Sequence, residues 1–345
     1  MRISIADGYD ISRVIKGGWH LAGGHGTIDP DQALRDMAAF VEAGITTFDC
    51  ADIYTGVEEL IGRFRIRYPQ LARETQVHTK FVPDLQWLPQ LDSSFVERSI
   101  DRSLARLRTD RLDMVQFHWW DYEVPGYVEA AAALLRLREK GKIAHIGVTN
   151  FDVPRLEEIL GAGIPVVSIQ AQYSLLDERP RNGMIDLCRR RRIAVIGYGT
   201  IAGGFLSERW VGRPEPGELT NRSLIKYQLI IEEFGGWALL QQLLAALGRI
   251  GAKYDCDIAT VASRAVLDRE QVAAVIIGAT NAAHLGANRD IAGLRLDESD
   301  VQAIGEVLGR RRGPAGDVYS LERDRNGRHG RIMKYNLHQK DTHAK

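Results

Sequence analysis

The chain has 345 residues, 45 of them basic (Lys, Arg) and 45 acidic (Asp, Glu), so its formal charge is zero. That balance leaves no electrostatic surplus for gripping nucleic acid or an anionic membrane. Hydrophobic residues make up 45%, enough for a large core, and the length suits one or two domains.

The opening residues MRISIADGYDISRV lack the apolar core of a signal peptide, and the longest apolar runs are too short to span a bilayer. Cys50, Cys188 and Cys256 are scattered, and no CxxC occurs. Neither a disulfide framework nor a zinc knuckle is supported, and a reduced, cytoplasmic setting is the expectation.

In chain order, near-continuous apolar runs at 13–19, 46–50, 77–81, 114–118, 143–148, 166–170, 194–198 and 272–277 predict eight strands buried on both faces. Helical patterns separate them. Residues 30–43 follow the first strand. SSFVERSIDRSLARLRTDRLD sets Val96, Ile100, Leu104 and Leu107 on one stripe, with Ser93 or Ser94 as cap. VEAAAALLRLREKGK is rich in helix formers and closes with Gly141. PRLEEILGAG, RNGMIDLCRRRR and WALLQQLLAALGRIGAKY continue the alternation. Eight β/α alternations predict parallel strands with helices outside, and a closed (β/α)8 TIM barrel over residues 1–308.

Two segments break the rhythm. Residues 206–236 read as a long Pro- and Gly-containing loop insert after the seventh strand, of the kind that carries function or stays unstructured. The tail 309–345 is rich in Gly, Arg and His. It reads either as a solvated terminus or, on its apolar members Tyr319, Leu321, Ile332, Met333, Tyr335 and Leu337, as a segment docked over the barrel mouth.

Chemistry-bearing residues recur where strands end. Asp49 closes the second strand and Tyr54 follows five residues on, Lys80 ends the third, and His118 ends the fourth. Singly, these are a turn former, a snorkelling lysine and a packed histidine. In a barrel the carboxyl ends of strands converge on one mouth, so three consecutive strands bring the four together. A phenol titrates near 10, and a nearby ammonium favours its ionised form. A carboxylate keeps that lysine charged, and a neutral imidazole orients a carbonyl oxygen. The set suits protonation of a developing alkoxide, hence carbonyl reduction.

At these residues the sequence resembles the aldo-keto reductase superfamily. GITTFDCADIYTGVEELIG, VHTKF, RLDMVQFHWWD, KIAHIGVTNF and IQAQYSLLDE match its successive motifs in order, and the likeness covers roughly residues 13–307. The resemblance implies a catalytic tetrad of Asp49, Tyr54, Lys80 and His118, with Tyr54 as proton donor and Asp52 as a turn residue only. It also implies a nicotinamide cofactor extended across the mouth, NADP(H) being expected over NAD(H). Thr149, Asn150 and Gln170 match the carboxamide ligands, and Tyr198 the aromatic on which the nicotinamide stacks. Gly199, Thr200, Ile201, Ala202 and Gly203 would pass the pyrophosphate. Gly17, Gly18 and Trp19 match a turn near the ring. Gly278, Ala279, Thr280, His284, Asn288 and the neighbouring Arg289 would face the adenosine end. Trp19, Tyr54, His118 and Trp119 would form the substrate pocket, with His20, Trp120 and Tyr122 on nearby loops.

GYGTIAGG also fits the loose fingerprint G-x-G-x-x-A of a Rossmann unit, but RPEPGELTNRS follows where a strand with an acidic end is required. The reading is an NAD(P)-dependent oxidoreductase acting on a small carbonyl or alcohol, with no metal, no nucleic acid and no membrane insertion. Its alternatives are a cofactor-sensing regulatory subunit with vestigial activity and an oxidative sugar dehydrogenase.

Overall fold

A computed structural model describes residues 2–22 and 28–338. The chain starts with an antiparallel hairpin, β1 (Arg2–Ala6) and β2 (Tyr9–Ser12). Eight parallel strands follow: β3 (Val14–Gly17), β4 (Thr47–Asp49), β5 (Gln76–Phe81), β6 (Leu112–Phe117), β7 (Ile143–Thr149), β8 (Val166–Gln172), β9 (Ala194–Tyr198) and β10 (Val272–Gly278). They close in sequence order, with β10 pairing β3. This is the (β/α)8 barrel expected from the alternation, and it removes the Rossmann reading: β9 and its glycines belong to a closed barrel.

The strands are buried on both faces because each carries helices outside and side chains inside. Tyr9 and Ile11 of the hairpin pack with Ile15, Met114, Ile196 and Ala274 from four barrel strands. The Tyr9 hydroxyl meets His78 Nε2 at 3.1 Å. The hairpin therefore fills one end of the barrel interior and leaves the other for chemistry.

Capping and stripe chemistry place the helices. Asp29 caps Pro30–Glu42, where proline suits the first turn. Helix Ser93–Leu107 buries Val96, Ile100 and Leu107 as expected, but its cap is Asp92, whose Oδ1 accepts from Phe95 N at 2.8 Å; Ser94 only binds that carboxylate. Gly141, at φ +81, ends the turn after Tyr127–Glu139.

Residues 206–236 are more ordered than a loop. They contain helix Arg222–Phe234, capped by Asn221, which buries Tyr227, Ile230, Ile231 and Phe234. That spacing is a helical stripe; Pro214 and Pro216 just before it masked the pattern. The tail is likewise docked where it is described: helices Ser320–Arg323 and Arg328–Arg331 lie within it. Residues 339–345 of the expected tail lie outside the described residues.

Candidate active site

Strand register assembles the mouth. Gly278 pairs with Gly17, and Gly17 with Asp49. Lys80 lies opposite Gln116, Thr149 opposite Gln170, and Tyr198 opposite Gln172. Of these carboxyl-terminal positions all but Gln116 and Gln172 border a cavity of about 700 Å³, a size that suits a cofactor or small-molecule site.

Asp49, Lys80, Tyr54 and His118 all line it. Lys80 Nζ donates to Asp49 Oδ2 at 2.7 Å and to Cys50 O at 2.9 Å. Asp49 Oδ1 accepts from Gln170 Nε2 at 2.6 Å and Gln116 Nε2 at 3.1 Å. A buried carboxylate so supplied with donors has its hydrogen-bonding capacity met without water. Burial alone would lower the Lys80 pKa, but the charges of Asp49 and Tyr54 and the Asp49 hydrogen bond outweigh it and carry it above the usual lysine range. Lys80 is a fixed cation.

Tyr54 sits on the turn after β4, its N–H on Ala51 O at 3.0 Å, just before helix Val57–Arg67. The Lys80 ammonium is 4.9 Å from its ring centroid, and the Trp19 ring meets it edge-on at 5.1 Å. The expected net lowering of the Tyr54 pKa is not found. Burial raises it, and the Lys80 charge and hydrogen bond only oppose that rise. Tyr54 is thus a protonated phenol with a cation beside it, able to give a proton and have the resulting charge met.

His118 lies one residue beyond β6 and is buried. Its Nδ1 lies 3.0 Å from Thr149 O. A carbonyl oxygen only accepts, so Nδ1 carries the hydrogen. Burial, then the Arg323 guanidinium, push the imidazole down to about 3 against the Thr149 hydrogen bond. The neutral ring therefore shows a bare lone pair at Nε2, a buried atom with no hydrogen-bond partner among the described residues. In this tautomer Nε2 accepts, so it fits a hydroxyl.

The predicted cofactor wall largely converges. Gly17, Trp19, Thr149, Asn150, Gln170, Tyr198, Gly199, Thr200, Ile201, Gly203, Gly278, His284 and Asn288 all border the cavity. Tyr198 Oη donates to Asn150 Oδ1 at 2.9 Å, fixing both. The Gln170 amide N–H2 is committed to Asp49 and Gln116, so only its oxygen remains for a ligand.

Other predicted residues do not line the cavity. Gly18 is a packing glycine: its N–H donates to Asp49 O at 2.7 Å, and a Cβ there would meet that oxygen and Val57. Ala202 is fully buried under the loop. Ala279 is buried and offers its carbonyl to Lys16 Nζ at 3.4 Å, while Thr280 is exposed away from the cavity. Trp119 is not in the substrate pocket. It is fully buried, with its indole N–H on Asp121 O and Val124 O, both at 3.0 Å. Trp120 takes the cavity side instead and meets the His118 ring edge-on at 4.3 Å. Asp52 does more than turn the chain: both its oxygens accept from Val82 N at 3.2 Å, and it faces His338.

Sequence reasoning missed several wall residues. Asn221, Arg222, Ser223 and Lys226 come from the helix hidden in 206–236. The helix amino end and the Arg222 guanidinium suit a diphosphate. Tyr319, Ile332, Met333 and Leu337 come from the tail. Glu322 anchors that tail on the fully buried Arg179 through contacts of 2.8 and 3.0 Å. The aromatic wall, the side-chain amides, the glycine-bordered loop and the helix end together fit an extended nicotinamide cofactor. Among the described residues no cluster of His, Cys, Asp or Glu suits a metal ion, and no helix is long and apolar enough to cross a membrane.

Comparison with known proteins agrees with this geometry. The family description "Aldo/keto reductase family" matches residues 13–308. The chain is 26% identical over 320 residues to the aldo-keto reductase YhdN of Bacillus subtilis, covering 88% of this chain and 92% of that protein. It is 26% identical over 314 residues to the NADH-specific methylglyoxal reductase of Escherichia coli, covering 85% and 93%. The structure of the glycerol dehydrogenase AKR11B4 from Gluconobacter oxydans aligns with a TM-score of 0.77 at 24% identity, over 92% of this chain and 97% of that one. The chain belongs to the aldo/keto reductase family.

Proposed function

We propose that this protein moves hydride between a nicotinamide cofactor and the carbonyl or carbinol carbon of a small substrate, with Tyr54 as proton donor in reduction. The observation that carries the reading is the Lys80 ammonium held at 2.7 Å on Asp49 and 4.9 Å from the Tyr54 ring, on the same cavity as His118. The cofactor, when bound, supplies or takes up the hydride. Everything else falls to the chain. Tyr54 gives its proton to the substrate oxygen as negative charge develops there. Lys80 meets the phenolate that remains, and Asp49 keeps Lys80 charged and in place. The new hydroxyl can then donate to His118 Nε2.

Thr149, Asn150 and the Gln170 oxygen would hold the carboxamide, Tyr198 the ring, and Gly199–Gly203 with Asn221 and Arg222 the diphosphate. NADP(H) is the proposed form. Asn288 borders the cavity, and the next residue, Arg289, is largely exposed, its nearest carboxylate, Asp290, 3.6 Å away. That guanidinium is available to a 2′-phosphate. The Escherichia coli relative is named as NADH-specific, so both cofactors belong in the test.

The His118 lone pair also favours a second reading, in which the physiological direction is alcohol oxidation. A panel of aldehydes, ketones and alcohols run with NADPH, NADH and their oxidised forms tests both. We expect turnover, better with the phosphorylated cofactor, falling about 10²- to 10⁴-fold in Tyr54→Phe with cofactor affinity retained. Tight cofactor binding with no turnover on any substrate would refute an enzyme and leave a sensor.

A further inference from the structure

The tail sends one side chain to the back of the catalytic histidine. Arg323 Nη1 donates to the carbonyls of Trp119 and, at 2.9 Å, Trp120, the two residues that follow His118 beyond β6. Its Nη2 donates to Asn150 O at 2.6 Å, the residue that follows Thr149 beyond β7. The guanidinium carbon lies 3.9 Å from the Tyr122 ring centroid and 5.6 Å from that of Tyr319. Tyr319 in turn meets the His118 ring edge-on at 5.8 Å.

Two crossbars therefore span the same gap. The inner one is the His118 Nδ1–H to Thr149 O bond, from the end of β6 to the end of β7. The outer one is Arg323, which ties the next residues of the same two segments. A backbone exit from a strand is the part of a barrel least held by the sheet ladder, and loops there move most easily. If the two exits separate, the inner bond lengthens and the imidazole is free to rotate or change tautomer. A planar fork with donors on two nitrogens can reach carbonyls on both segments, whereas a lysine ammonium presents its donors from a single atom.

We infer that Arg323 is a positioning residue for the reaction: by joining the carbonyls beyond β6 to the carbonyl beyond β7, it holds His118 with Nδ1 on Thr149 and Nε2 turned to the substrate. It touches neither substrate nor cofactor and works through His118. In its kinetic consequence the inference rests on the proposed carbonyl chemistry; in its structural claim it does not.

The test uses the full-length protein with ¹⁵N-labelled histidine, read by long-range ¹H–¹⁵N spectra of the imidazoles, with His118→Asn to assign the signals. In the wild type His118 is expected as one neutral tautomer with the hydrogen on Nδ1. In Arg323→Met it becomes a mixture, and kcat falls about 10- to 100-fold, the order expected of a misplaced catalytic group. Arg323→Lys, which keeps charge but loses the fork, should lie between the two, and serves alone if the Met variant fails to fold. Glu322→Gln weakens the tail's anchor on Arg179; where hydrogen exchange shows residues 317–338 still docked, it lowers the melting temperature and leaves the His118 spectrum as in the wild type. Wild-type His118 signals and wild-type kcat in Arg323→Met, whatever its melting temperature, overturn the inference. So does a Glu322→Gln spectrum altered as much as that of Arg323→Met while residues 317–338 remain docked. The spectra need no substrate, so a protein inert toward every carbonyl refutes the proposed function while the positioning claim is still decided.

Discussion

Two buried ion clusters share this barrel and do different work. At the mouth, Lys80 pairs with Asp49 at 2.7 Å. Beside it, Arg179 pairs with Asp177 at 2.7 Å and with Glu322 of the tail at 2.8 Å. The second cluster is sealed: Arg179 is 1% exposed and both its carboxylates 0%. Its guanidinium uses every nitrogen, and Gln172 Nε2 also serves Asp177 at 2.6 Å. The first faces the cavity and is built around an asymmetry. Asp49 is held by two amides as well as by Lys80, whereas Lys80, beyond Asp49 and the Cys50 carbonyl, faces a tyrosine ring that can lose a proton. An ion pair whose partners are all satisfied is a staple. One that stands next to a titratable neighbour at a cavity wall can serve proton transfer, the role proposed for Lys80 and Tyr54.

The comparison is broken most directly by removing each cation. Lys80→Met should reduce kcat about 10²- to 10⁴-fold, because the Tyr54 anion left by proton donation has no charge to meet it. Its effect on stability should be the smaller one, since Gln116 and Gln170 still donate to Asp49. Steady-state kinetics and urea denaturation on the same preparation check both halves. A variant with wild-type turnover would show that the pair at the mouth is a staple too.

Arg179→Met should do the reverse. It strands two buried carboxylates, a loss of about 3–5 kcal/mol in unfolding free energy for pairs of this kind. The Glu322 carboxylate is then left, among the described residues, with Lys226 alone, 3.7 Å away, so the tail should become more exchange-labile, and the activity that remains should track tail docking. Urea titration with hydrogen exchange on residues 317–338 measures it. A stability change below about 1 kcal/mol would mean that water reaches the cluster and that the tail is anchored elsewhere.

The legibility of the sequence follows the same division. Every barrel strand shows in the chain because a strand buried on both faces is rich in apolar residues, and Asp49, Lys80 and His118 could be singled out because they stand at or just beyond the ends of those strands, with Tyr54 on the following turn. The hairpin was equally visible: ISIADGYDIS alternates around an Asp-Gly turn, and Gly8 adopts φ +67. Trp119 and Trp120 needed only the strand period of two, which puts Trp120 on the His118 side and turns Trp119 to the core. The helix in 206–236 was hidden by its own prolines, although the spacing of Tyr227, Ile230, Ile231 and Phe234 carried it. Of the tail, the apolar residues Tyr319, Ile332, Met333 and Leu337 hinted at the mouth they border, but its polar anchors were not legible. Arg323 meets Trp119 across 204 residues and Asn150 across 173, and no local pattern marks a side chain whose partners are backbone carbonyls so far away. Nor could the sequence say that burial outweighs Lys80 at Tyr54, which depends on how deeply the mouth is covered.

The smallest effect concerns the last described contact of the tail, which sharpens the comparison because its cation can be switched off. His338 Nδ1 donates to Asp84 Oδ1 at 2.9 Å, and its Nε2 is 3.5 Å from Asp52 Oδ2. The backbone N–H groups of Leu337 and His338 add bonds to Asp84 at 2.7 and 3.2 Å. Burial pulls the imidazole down, but hydrogen bonds and charge from Asp52 and Asp84 outweigh it, and its pKa is raised to about 9. The unfolded value is near 6.5. A raised value means that the stabilisation is fully present below about pH 6.5 and is lost as pH rises through about 9, an effect of at most about 3 kcal/mol. Hydrogen exchange of residues 332–338 should therefore speed up between pH 7 and 10 beyond the intrinsic rate, once that rate is divided out. His338→Asn should remove the extra pH dependence, while the segment around Glu322, held by a guanidinium that does not titrate, should stay protected. Equal pH sensitivity at both anchors would mean that the tail opens as one unit, and that its two ends are not fastened independently.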